Sequence, residues 1–84
     1  MEAAMHSLSM AQDILQAALK EAEKHEAKRI KTISVKVGSE DFVESDSLQF
    51  CLEATAEGTI AEGARIEIEL ADANEPQQIA LELD

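Results

Sequence analysis

Eighty-four residues make one small domain, near the lower limit at which a single hydrophobic core sustains a fold, with no room for a deep substrate cleft. Eighteen acidic against seven basic side chains leave a formal charge of -11, which repels phosphate backbones and anionic membrane surfaces and disfavours nucleic acid and membranes as partners. No apolar run approaches the ~20 residues of a membrane span, and a composition 45% apolar and 30% charged is that of a globular chain and not of a disordered one. Phe42 and Phe50 are the only aromatic side chains, so Ile, Leu, Val and Ala must fill the core.

The N-terminus MEAAMHSLSM has neither the basic region nor the continuous apolar run of a signal peptide. The single cysteine, Cys51, cannot form an internal disulfide and reads as a small buried hydrophobe of a reducing compartment, which places the protein in the cytoplasm. Residues 1–4 read as a leader and 5–84 as one domain.

From Met5 to Ala27, Leu8, Ala11, Ile14, Leu15, Ala18, Leu19 and Ala22 recur at steps of three and four, and Gln12, Asp13, Gln16, Lys20, Glu21, Glu23 and Lys24 occupy the opposite face. The pattern predicts an amphipathic helix of about five turns. Ser7 or Ser9 can cap its start, and Lys24, His25 and Lys28 stand where the helix dipole favours positive charge. His25 is assigned to satisfying the last carbonyls.

Ile30 to Val37 reads as a strand, with Ile33, Val35 and Val37 alternating against Thr32, Ser34 and Lys36. Ile30 breaks the alternation, as a residue packed under the helix end or as a bulge does. Gly38 ends this strand, and Phe42 and Val43 in the following loop are expected to close one end of the core. A second helix is predicted from Glu44 or Ser45, capped by Ser45 or Asp46 and striped by Leu48, Cys51, Leu52 and Thr55; Gly58 suits its left-handed exit. Two clean alternations follow, Arg65 to Leu70 and Gln78 to Leu83, joined by the turn-forming Ala71 to Gln77, and these are expected to make an antiparallel hairpin. Three one-sided strands and two amphipathic helices in the order α-β-α-β-β predict an α+β fold, a two-layer sandwich of two helices on a three-stranded sheet.

Phosphate loops, nucleophile elbows, CxxC pairs, HExxH and paired catalytic carboxylates are all missing from the sequence, which points away from an enzyme. The acidic residues read as a solvated face.

Three stretches resemble the HypA/HybF accessory proteins of nickel-iron hydrogenase maturation: Met5-His6-Ser7-Leu8-Ser9-Met10-Ala11, the helix exit from Glu21 to Arg29, and Glu57-Gly-Thr-Ile-Ala-Glu-Gly-Ala-Arg-Ile-Glu-Ile-Glu69, the most specific of them. The likeness runs from Met5 to the C-terminus in the element order of that family's nickel-binding domain. It implies nickel(II) as the metal, held near Met5, His6 and Ser7 by a terminal amine, the backbone amide of His6 and its imidazole. Square-planar coordination by nitrogen suits Ni(II), and a chain terminus supplies adjacent nitrogens without a pocket. Two departures accompany the likeness. Family members begin Met-His-Glu, whereas here Ser7 stands in place of Glu, which removes a carboxylate but keeps a backbone amide, and four residues precede Met5. The family's zinc domain, with two CxxC pairs inserted before the last strand, is replaced by Ala71 to Gln77, so no zinc is expected.

Two functional readings follow from the resemblance. The first is a cytoplasmic metallochaperone that passes nickel to a hydrogenase large-subunit precursor with the help of a HypB-type GTPase. The second is a metal-free interaction or adaptor module in the same maturation route, favoured by Ser7, by the residues ahead of Met5 and by the lost zinc ligands. Retention of Met5-His6 directly before the helix favours the first. The free edges of a small sheet also allow pairing with a second copy, a homo-oligomer. His25 is excluded from sharing an intramolecular metal site with His6, because roughly 25 Å or more of helix separates them.

Overall fold

A computed structural model describes residues 2–38, 45–71 and 78–84, with side chains from Ser7 onward. Five elements follow in the expected order: α1 (Glu2–Lys24), β1 (Ile30–Gly38), α2 (Ser45–Ala56), β2 (Arg65–Ala71) and β3 (Gln78–Leu83). Phe42 and Val43 lie outside the described residues.

The first helix is displaced from its expected span at both ends. It begins at Glu2, because Ala3 and Ala4 are strong helix formers and Glu2 suits the positive end of the dipole. It stops at Lys24, because Glu26 adopts the left-handed conformation at φ 52. There the Glu26 amide bonds to the Glu23 carbonyl and the Ala27 amide to the Ala22 carbonyl, both at 3.0 Å, the paired bonds of a Schellman cap. Ala27 packs on the core beside that cap. The second helix exits through Gly58 at φ 82, with the Thr59 hydroxyl donating to the Ala56 carbonyl at 2.7 Å.

The sheet order is β2-β1-β3. β1 pairs in parallel with β2, from Thr32↔Arg65 to Gly38↔Ala71, and antiparallel with β3, from Ile30↔Leu83 to Lys36↔Gln78. The expected hairpin of the last two strands is therefore not formed; they lie on opposite sides of β1, about 10 Å apart. The reason is burial. β1 carries Ile30, Ile33, Val35 and Val37, all buried, and takes the centre, where both ladders are satisfied and helices cover it. β2 and β3 alternate half-buried apolar residues with Arg65, Glu67, Glu69 and Glu82, the mixture that suits an edge. Ile30 does both things expected of it: it is buried, and the β1–β3 register shifts between Ile30 and Thr32.

The core lies between helices and sheet. Ala11, Ile14, Leu15, Ala18 and Ala22 of α1 and Leu48, Leu52 and Ala56 of α2 meet the apolar face of β1. The second helix turns less of itself inward than its stripe suggests. Cys51 is half-buried where a buried thiol was expected, and Phe50 is 70% exposed, because α2 packs through Leu48, Leu52 and Ala56, a 4-residue row that leaves position 50 on the far side. On the outer face, Thr32 donates to Glu82 at 2.8 Å and Ser34 to Glu67 at 3.1 Å, cross-strand bonds that bind both edge strands to β1. Among the described residues no helix is long and apolar enough to cross a membrane.

Candidate metal-binding terminus

Only residues 25–29 link α1 to β1, so helix and strand run in opposite senses. The start of α1 therefore lies toward the Gly38 end of the sheet, the end at which β2 finishes and β3 begins. Met5, His6 and Ser7 belong to the first two turns of α1. The i to i−4 pattern of the helix commits the His6 amide to the carbonyl of Glu2 and the Ser7 amide to that of Ala3.

Ser7 is the surprise of this region. Its side chain is 0% exposed, and its hydroxyl has no hydrogen-bond partner among the described residues. A buried, unpartnered hydroxyl costs about 1–3 kcal/mol of desolvation, so the second turn of α1 carries a local penalty where the rest of its inner face carries Met10, Ala11 and Ile14. The position explains the residue type in part. A carboxylate here would have to be buried or would push the helix open, whereas a serine fits beneath it.

The other histidine stands at the far end of the rod. His25 is exposed, and its Nε2 lies 3.0 Å from Glu21 Oε2. The ring thus pairs with a carboxylate one turn back and not with the helix carbonyls that the sequence suggested for it. Lys24 approaches the same Glu21 at 3.9 Å. These are exposed pairs of small energetic weight. Beside them a shallow groove runs between α1 and β3, lined by Ala17, Ala18, Glu21, His25, Ile79, Leu81 and Leu83. It holds one imidazole and one carboxylate already engaged with each other, which is neither a nucleophile with its base nor a ligand set. Among the described residues no group of three or more His, Cys, Asp or Glu side chains is placed to hold a metal ion.

Sequence reasoning singled out Met5, His6 and Ser7 as candidates but missed that the helix runs on ahead of them to Glu2. The signal was present in Glu2-Ala3-Ala4, a run of good helix formers directly ahead of the site.

Comparison with known proteins bears on the same segment. A family described as "HypA: Hydrogenase/urease nickel incorporation, metallochaperone, hypA" matches residues 5–75, beginning at the Met of Met5-His6. Curated relatives named hydrogenase maturation factor HypA are similar to the chain. That of Methanopyrus kandleri is 42% identical over 66 residues, covering 79% of this chain and 46% of the relative. That of Archaeoglobus fulgidus is 39% identical over 70 residues, 83% of this chain and 64% of the relative. That of Escherichia coli K12 is 35% identical over 69 residues, 82% and 60%. The chain thus matches about half to two thirds of the length of these relatives.

Proposed function

The chain belongs to the HypA family of nickel-incorporation metallochaperones, and from that premise we propose that it carries nickel(II) for nickel-iron hydrogenase maturation, holding the ion at Met5, His6 and Ser7. The observation that supports this most is the position of Met5-His6, at the start of the family match and at the head of a helix whose remainder is anchored in the core. In this reading His6 supplies its imidazole and its backbone nitrogen, Met5 the preceding nitrogen, and Ser7 an amide and not its buried hydroxyl. Four nitrogens in a plane satisfy Ni(II), and the cargo is released by displacement of one of them. The recipient is a hydrogenase large-subunit precursor, a HypB-type GTPase assists, and the exchange takes place in the cytoplasm.

A second reading, a metal-free adaptor that docks in the same route, is favoured by one observation: the His6 and Ser7 amides are committed to helix carbonyls. Calorimetric titration with Ni(II) of the protein, of a form beginning at Met5 and of His6→Ala separates the two. A carrier binds more tightly with His6 than with alanine there; an adaptor shows no difference among the three.

A further inference from the structure

We infer that the first two turns of α1 are a latch on the nickel site: residues Glu2–Ala4 hold the His6 and Ser7 amides in the helix, and loading requires this segment to unwind. The inference rests on the carrier reading and adds a regulatory element to it. A backbone nitrogen binds Ni(II) only after its N–H bond breaks, the proton passing to solvent as the Ni–N bond forms. In α1 those same N–H bonds point down the helix at the carbonyls of Glu2 and Ala3, so one amide cannot serve both partners. A helix beginning at Met5 has no such conflict, because its first four amides lack partners within the helix. The extension by three helical residues ahead of Met5 is therefore what closes the site.

Two features keep the latch light enough to open. Glu2–Ser7 is less than two turns at the head of the helix, and a helical segment of that length has little stability of its own. The Ser7 hydroxyl, buried without a partner among the described residues, regains water when the turn opens, which offsets part of the cost of unwinding. Beyond it Met10, Ala11 and Ile14 are buried in the core, so opening stops in the second turn.

The test follows nickel binding by calorimetry and, in parallel, hydrogen exchange of the amides from Leu8 to Ile14, with and without Ni(II). Four proteins are compared: the parent, Ala3→Gly/Ala4→Gly, Ser7→Ala and His6→Ala. Weakening the latch with glycine is expected to tighten nickel binding by up to about fivefold per substitution. Removing the orphaned hydroxyl strengthens the helix and is expected to weaken binding by up to about tenfold, although every backbone nitrogen is retained. Nickel should remove exchange protection through Met10, whose helical acceptor is the His6 carbonyl, and leave the amides from Gln12 onward protected. Nickel bound with protection unchanged and with equal affinity in the glycine and serine variants overturns the latch and leaves the carrier standing. Binding no tighter than in His6→Ala in every protein overturns both.

Discussion

The two ends of α1 are built on opposite principles. At the C-terminal end several backbone groups are tied: a Schellman cap closes the helix, the Ile30 amide bonds to the Ile60 carbonyl at 2.9 Å, and the Asp84 amide bonds to the Arg29 carbonyl at 3.0 Å. His25 sits there in an exposed hydrogen-bond contact with Glu21. At the N-terminal end a helix head carries His6 and a buried hydroxyl with no partner among the described residues. Of two histidines on one rod, one stands beside a capped helix end and the other in the first two turns of the helix. The proposed carrier role requires a segment that opens at low cost, and the head of α1, with its unpartnered hydroxyl among the described residues, is the end that suits it.

Substitutions along α1 can break or sharpen that contrast. Ile14→Ala removes a side chain that both halves of the rod share in the core, and is expected to cost about 2–5 kcal/mol in urea denaturation. A smaller loss than that of any end variant would mean that the ends, and not the middle, hold the helix. Ser7→Ala is expected to stabilise the folded protein by about 1–2 kcal/mol, because it deletes a desolvated hydroxyl with no partner among the described residues; a loss of stability would show that the hydroxyl is satisfied. Glu26→Gly relieves the left-handed conformation at the finished end and should add about 0.5–1 kcal/mol, read as a rise in melting temperature. His25→Ala should change stability by less than about 0.5 kcal/mol, since its pair with Glu21 is exposed.

Much of this was legible in the chain because it is local. Helical and strand periodicities placed all five elements, Gly58 marked the exit of α2, and the misfit of Ile30 announced both burial and a bulge. The hairpin failed because strand pairing is non-local: Ala71 to Gln77 has turn composition whether it joins neighbours or strands flanking a third. The pairing is decided instead by β1, whose four buried Ile and Val residues compete best for the central place. At the site, Met5 and His6 were legible as a motif, but the helical state of their backbone depends on the balance of a few weak propensities and on what packs beneath Ser7. Cys51 was placed on the apolar stripe by spacing alone, and the packing of α2 along a 4-residue row leaves it half-buried at the core's edge and Phe50 exposed.

The proposed carrier role places nickel at the His6 end of α1 and not at the His25 end, and imidazole resonances read that directly. In a nickel titration followed by nuclear magnetic resonance, the His6 ring signals should shift or broaden at the first equivalent while those of His25 stay in place. Perturbation of His25 first, or of neither ring, would contradict it.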